Sequence, residues 1–392
     1  MLALAALPIV GGVGASIDYS RAASVRTSMQ AALDATALML SRNASTIPGA
    51  DLSSKANAVF NAEFKHPQNL GVQVTATGAA ANNTYTVTLT ATSTSTTKFM
   101  GVMGFQTINV AAHTTARYSY DGLGCVLTLD PTVSDSAAGQ GNTNVALKGC
   151  SLYANSNAAA AVSVDGSGRI EAYSVHAVGG ITGQSSITTQ TGIHEHSGAL
   201  ADPYADVNYP AFFGCTAQNF RAHSEITIDP GVYCGGIAVN AGAVLTLNPG
   251  IYYLDGGDLT VNGGATMQGT GVTLVFTSKN KAGYANAVIN GNANVSLTAP
   301  KTGPMAGIVM FGDRAMPSTT TFTLNGGSTQ YFGGAVYVPS GVLNFSGGAA
   351  TGTSCTQLIA RRVDFTGNSS IAINCSNQGT RPFSVAVNRL VS

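Results

Sequence analysis

The chain has 392 residues, of which only 9% are charged, and its lysines plus arginines balance its aspartates plus glutamates to a net charge of zero. A balanced, charge-poor chain has no electrostatic footprint for nucleic acid, so that partner class is set aside. With 47 glycines and no tryptophan, and with Ser, Thr and Asn as its main polar residues, the composition suits stacked short strands better than helices.

The first stretch, 1–44, departs from that texture. Leu2, Leu4, Leu7, Ile9, Val10, Val13 and Ile17 belong to an uncharged run halted by Asp18. Residues 2–17 would span about 24 Å as a helix, against a bilayer hydrocarbon core of about 30 Å. Beyond Asp18, Val25, Met29, Ala32, Thr36 and Leu40 recur at steps of three and four, which places them on one helical face. Asp18, Arg21, Arg26, Asp34 and Arg42 fall elsewhere around the helix. The pattern reads as one continuous helix, a membrane anchor followed by an amphipathic stem. A secretory signal peptide cleaved near Val13-Gly14-Ala15 is the competing reading, and the lack of a basic stretch before the run speaks against it.

Leu7-Pro8-Ile9-Val10-Gly11-Gly12, Ser16-Ile17-Asp18-Tyr19-Ser20-Arg21-Ala22 and Met29-Gln30-Ala31-Ala32-Leu33-Asp34-Ala35-Thr36-Ala37-Leu38 resemble the N-terminal segment of TadG-like proteins of the Flp (Tad) pilus assembly system. In that family an apolar run ends in an Asp-Tyr-x-Arg turn and continues into a Gln-Ala-Ala-Leu-Asp-Ala-Ala-like stem. The family's usual upstream stretch, with a basic residue and glycine, has no counterpart here. The resemblance implies a single-pass protein of the cytoplasmic (inner) membrane with its large C-terminal domain in the periplasm or outside the cell. Its implied partners are membrane lipid, through the N-terminal helix, and other pilus-assembly proteins, with a cell-wall or surface glycan as a further candidate. It implies no cofactor.

In the region 45–120, Ile47-Pro48-Gly49 breaks the stem, and Leu52, Ala56, Val59, Phe60 and Phe64 at helical steps predict a short second helix. Residues 70–76, 85–90 and 107–118 alternate apolar residues with Thr and predict three half-buried strands, with Asn82-Asn83 as the turn between the first two. A long N-terminal helix followed by a small antiparallel meander is pilin-like in outline.

From 121 to 392 the chain becomes rich in Gly and Asn. Asn240-Ala241-Gly242, Asn262-Gly263-Gly264, Asn290-Gly291-Asn292, Asn325-Gly326-Gly327, Ser346-Gly347-Gly348 and Thr366-Gly367-Asn368 recur, most of them at intervals near twenty residues that stretch where loops are inserted. The clearest internal copy sets Asp229-Pro230-Gly231-Val232-Tyr233 against Asn248-Pro249-Gly250-Ile251-Tyr252. Short units that cannot bury their apolar face alone predict a parallel β-helix, interrupted by an irregular Pro/Tyr-rich linker at 192–220. A β-sandwich with Asn-Gly hairpins is the alternative. The predicted fold class is therefore mainly β: an N-terminal membrane and stem helix, a small pilin-like α+β meander, then a parallel β-helix. The linker's Ala201-Asp202-Pro203-Tyr204-Ala205-Asp206, together with Gly271-Val272-Thr273-Leu274-Val275-Phe276 and Gly307-Ile308-Val309-Met310-Phe311-Gly312-Asp313-Arg314, also resembles TadG-like proteins with C-terminal β-helix-like regions.

Six cysteines, Cys125, Cys150, Cys215, Cys234, Cys355 and Cys375, lie in three neighbouring pairs along the chain. Pairing of neighbours would close loops of about twenty residues, each contributing roughly 3 kcal/mol in a chain-entropy estimate. It would also imply an oxidising compartment, with six buried thiols in the cytosol as the alternative. Arg21 and Arg26, just after the apolar run, argue the opposite orientation by flanking charge. The cysteines and the family resemblance outweigh them.

No residue pattern singles out a catalytic centre. Beyond residue 226 the acids are Asp229, Asp255, Asp258, Asp313 and Asp364, and none forms the paired carboxylates that glycoside cleavage needs. Asp229, Asp255 and Asp258 read as turn residues, and Asp313-Arg314 as a structural ion pair. His194-Glu195-His196, with Asp202, Asp206, His223 and Glu225 near in sequence, is the best candidate for a metal, but an irregular loop explains such residues as solvated or hydrogen-bonded groups. Two function classes therefore compete. One is a membrane-anchored, non-enzymatic envelope protein that takes part structurally in Flp/Tad-type pilus assembly or tethering. The other is a β-helix polysaccharide-binding adhesin, or a polysaccharide lyase or hydrolase, delivered to the envelope.

Overall fold

A computed structural model describes residues 2–43, 47–65, 71–81, 84–120, 122–327, 330–347, 355–375 and 377–391, with side chains described for all of these except 2–11, 81, 120, 326 and 327. The chain divides into two compact units, Met1–Tyr120 with Ala386–Ser392, and Asp121–Val385.

In the first unit, helix α1 (Leu2–Asn43) runs without interruption and ends before the Ile47-Pro48-Gly49 break. Val25, Met29, Ala32, Thr36 and Leu40 are all buried, joined by Ala22, Leu33 and Ala37. The step of three and four thus carries a real buried stripe, and each fully buried Leu or Met on it contributes roughly 1.5–3 kcal/mol. Thr36 is tolerated there because its hydroxyl donates to the Ala32 carbonyl at 2.7 Å. A second helix, α2 (Leu52–Glu63), buries Leu52, Ala56 and Phe60. The stripe of α1 lies on an antiparallel sheet of β1 (Gln73–Ala81), β2 (Thr84–Thr96) and β3 (Thr107–Tyr120). The inward residues Val87, Leu89 and Ala91 of β2 and Val110, Ala112 and Ala116 of β3 complete this core. The expected Asn82-Asn83 turn lies outside the described residues.

A fourth strand was not expected. Ala386–Leu390 pairs antiparallel with β3, Ala386 opposite Tyr120, so the extreme C-terminus belongs to the first unit's sheet rather than to the repeats. Asn388 ties this strand to α1, accepting from the Ser41 hydroxyl at 2.8 Å and donating to the Leu38 carbonyl at 2.7 Å.

The second unit is a parallel β-helix. One interior ladder stacks Val239, Val261, Ile289, Leu324, Phe345 and Phe365, successive rungs lying 22, 28, 35, 21 and 20 residues apart. All six are buried. The turn residues that follow them, Asn240, Asn262, Asn290, Asn325, Ser346 and Thr366, therefore share one corner, and Asn290 donates to the Asn262 side chain at 3.3 Å. The spacing widens to 35 where loops at 299–307 and 313–320 flank the strand Ile308–Gly312, and the corner stays in register because the parallel backbone ladder, not the chain length, sets it. The Pro-Gly copies behave differently. Gly231 pairs with Tyr252, not with Gly250, so those two turns are offset by two residues across the sheet.

The coils are not stacked in chain order. The chain enters mid-stack at Leu123–Thr128 and winds outward to one end at Ile187–His194. It resumes at the far end with Ala217–Ala222 and winds back. The last coil, Thr356–Ala372, then lies directly on the first, with Leu358 opposite Val126, Val363 opposite Ala137 and Ile371 opposite Leu147. What reads in sequence as a linker at 192–220 is, over 195–216, a strap connecting the two ends of the stack.

Candidate functional site: the clamped loop and the strap

In the first unit, the site is the end of the apolar run. Asp18 is buried, and its carboxylate accepts backbone N–H groups from Lys98 at 2.9 Å and from Phe99 and Met100 at 2.8 Å each. These donors open the short 3-10 turn Met100–Met103 in the connection between β2 and β3, so the helix supplies the cap that the turn itself lacks. Burial disfavours the Asp18 charge, but the three N–H groups and nearby Arg21 outweigh it and hold the carboxyl below the usual carboxylate range. Four positions earlier, Gly14 leaves no room for a Cβ: one would lie 2.5 Å from Phe99 Cβ. Helix and loop are thus in contact from Gly14 to Asp18.

Of the residues expected to form a membrane anchor, the side chains of Leu2, Leu4, Leu7, Ile9 and Val10 lie outside the described residues, and Val13 and Ile17 are exposed. Among the described residues no helix is long and apolar enough to cross a membrane.

In the second unit the outer side of one sheet is itself apolar. Val232, Tyr253, Val275, Phe311, Tyr337, Ile359, Leu127, Tyr153, His176 and His194 form one outward ladder. Its nine steps span roughly 43 Å at about 4.8 Å each. The 22 residues of the strap could reach about 70 Å fully extended, so they cover the distance with slack for turns. They descend the ladder in order. Leu200 exchanges two backbone hydrogen bonds with the Asn155 side chain, at 2.8 and 2.9 Å. Tyr204 packs on Tyr337, Tyr209 on Phe311 and Phe212 on Tyr253. Cys215 ends the strap in a disulfide to Cys234.

Polar groups fix the strap at its middle. Arg314 donates to the Tyr204 carbonyl at 2.6 Å, the Val207 carbonyl at 2.7 Å and the Tyr337 hydroxyl at 2.9 Å. The Tyr337 hydroxyl in turn donates to Asp202 at 2.7 Å, and Arg381 pairs with Asp206. Asp313 accepts the Tyr209 and Thr277 hydroxyls, each at 2.7 Å. The expected ion pair between Asp313 and Arg314 is therefore corrected: just past the strand Ile308–Gly312 they serve different partners, Asp313 the Tyr209 and Thr277 hydroxyls and Arg314 the carbonyls of the strap.

The remaining expected site residues are dispersed. His194 stacks on His176, Glu195 accepts the Ile181 N–H at 2.6 Å, and His223 bonds Asn240. Among the described residues no group of three His, Cys, Asp or Glu is placed to hold a metal. Asp255 and Asp258 do not serve their own turn, as expected from sequence, but accept N–H groups of the next coil, from Lys279 at 2.7 Å and Asn286 at 2.9 Å. Arg361 pairs with Asp130 and Arg362 with Asp364. The cysteines are joined Cys125 to Cys150, Cys215 to Cys234 and Cys355 to Cys375, with Cα–Cα separations of 5.6, 5.8 and 4.8 Å.

One comparison with known families bears on α1. Residues 1–39 match the Tad model, described as putative Flp pilus-assembly TadE/G-like. The matched segment covers most of α1, including Asp18 and the buried stripe from Ala22 to Ala37. It supports a role in a Flp-type pilus system and an association with the cell envelope. No curated protein and no solved structure matches the chain. The strap and the Asp18 clamp were not foreseen from sequence. The clamp's only sequence signal is an acid closing an apolar run.

Proposed function

We infer that this protein is a non-enzymatic envelope component of a Flp-type pilus system, held at the cytoplasmic membrane by the apolar start of α1. Its β-helix stands outside the cytoplasm as a rigid body offering contact surface to other assembly proteins. The carrying observation is that the Tad match falls on α1 itself, the element that begins apolar and ends as the core of the first unit. Three disulfides agree with an oxidising compartment. Asp255 and Asp258 hold coil to coil, Asp313 holds the strap through Tyr209, and Asp364 pairs with Arg362, which speaks against the convergence on one face that cleavage of a glycosidic bond requires.

Deletion of the gene followed by counting surface pili tests the role directly, with loss of pili expected. Membrane attachment is tested by carbonate washing of membranes from cells expressing the native gene, where the protein should stay in the pellet. For the non-enzymatic part, Asp255→Asn with Asp258→Asn keeps an oxygen acceptor for each N–H and should cost about 1 kcal/mol or less. Pilus number in that variant should remain near wild type. Lost pili with the fold intact by circular dichroism would instead favour a carbohydrate-active β-helix.

A further inference from the structure

The loop that Asp18 clamps carries an unusual surface. Within 97–106, Phe99 is 45% exposed, Val102 90%, Met103 54% and Phe105 61%. The loop is nevertheless well closed: Thr97 donates its N–H to the Gln106 carbonyl at 3.0 Å, Phe105 to the Met100 carbonyl at 3.1 Å, and Gly104 takes the left-handed conformation at φ 94°. Its apolar side chains are thus held outward by a fixed backbone.

The loop also lies beside the last turns of the apolar run, with Phe99 over Gly14 and the N–H groups of 98–100 on Asp18. Val13, Ile17 and Tyr19 are exposed at the same end of α1. Lys98 and Arg21 are exposed beside it, and the one acid there, Asp18, is turned inward onto N–H groups. An apolar, partly aromatic patch with basic flanks and a tyrosine at its edge fits the headgroup layer of an anionic bilayer.

We propose that the 97–106 loop is a second membrane contact, with Phe99, Val102, Met103 and Phe105 seated in the headgroup layer of an anionic lipid surface beside the emerging helix. Asp18 sets the depth, because it locks the loop to the point where the helix leaves the apolar run. The partner is lipid rather than protein because the patch continues the apolar run of α1. It rests on the reading of α1 as membrane-embedded for its orientation, and the test separates the two.

The full-length chain with its disulfides intact is placed in vesicles of phosphatidylcholine and phosphatidylglycerol, bearing the environment-sensitive dye NBD on a single introduced thiol. The variants are Val102→Cys for the loop, Val13→Cys for the helix and Lys55→Cys on α2 as an exposed control. At position 102 emission should rise several-fold and shift to the blue relative to position 55. Lipids spin-labelled near the headgroup should quench it more than lipids labelled at the chain end. Quenching at 13 without quenching at 102 overturns the loop contact and leaves the helix anchor standing. Quenching at 102 without quenching at 13 keeps the loop contact and removes the anchor. Quenching at neither overturns both. A blue shift at 102 that follows protein concentration and ignores the quencher lipids overturns the proposal in favour of a second copy of the chain.

Discussion

The Arg314 guanidinium donates to the Tyr204 carbonyl at 2.6 Å across 110 positions of sequence. The same group bonds Val207 and Tyr337 and lies 5.3 Å from the ring centres of Phe311 and Tyr337. One side chain of the β-helix thus holds the middle of the strap by its backbone.

Arg314→Ala should detach that middle. It strands two carbonyls and the Tyr337 hydroxyl, and hydrogen bonds to a charged donor are worth about 1.5–3 kcal/mol each before the partners find water. A net loss of about 2–3 kcal/mol is expected in the denaturant midpoint, with new protease cleavage within 200–214. Arg314→Lys should recover little, since an ammonium cannot reproduce the fork. Unchanged cleavage in the alanine variant would show that the aromatic contacts alone hold the strap.

Alkali should act on the same region. Burial pushes the Tyr204 phenol up to about 12, with Asp202 adding to the shift and Arg381 opposing it. Burial and the Asp313 carboxylate likewise push Tyr209 up to about 12. The folded state therefore holds these protons more tightly than the unfolded chain, whose phenols titrate near 10.0. Their contribution is fully present below pH 10 and is lost as pH rises toward 12. Unfolding midpoints measured across that range should fall, and Tyr204→Phe should flatten part of the fall. A slope identical to the parent's would remove Tyr204 from this account.

Two glycines at one corner separate steric from conformational demands. Neither Gly263 nor Gly291 has a left-handed φ; at the corner Asn262-Gly263-Gly264 it is Gly264 that takes it, at φ 78°. A Cβ on Gly263 would stand 2.7 Å from the Gly291 carbonyl oxygen of the next coil, whereas one on Gly291 meets its nearest atom at 3.9 Å. Gly263→Ala should thus cost on the order of 1–3 kcal/mol by overpacking, and Gly291→Ala much less. Equal thermal midpoints in the two variants would contradict the steric reading.

The local parts of the fold were legible because their signals are local. Val25, Met29, Ala32, Thr36 and Leu40 declare a helical face by spacing alone, and Val87 and Leu89 declare a strand by alternation. The corner at Asn240, Asn262, Asn290 and Asn325 could be read from turn chemistry following an apolar residue. Asp18 showed only as the end of an apolar run, since its partners lie 80 to 82 positions away.

The sequence by itself determined which residues face inward and where each coil turns, because both follow from a period a few residues long. Only the tertiary structure decided which coil lies on which. Any coil of a parallel β-helix offers its neighbour the same backbone ladder and an apolar interior, so Leu358 meeting Val126 leaves no mark in either segment. The strap was decided in the same way. Tyr253, Phe311 and Tyr337 read in sequence as ordinary strand residues, and only their stacking on one outer face creates an apolar surface long enough to require Tyr204, Tyr209 and Phe212 to cover it.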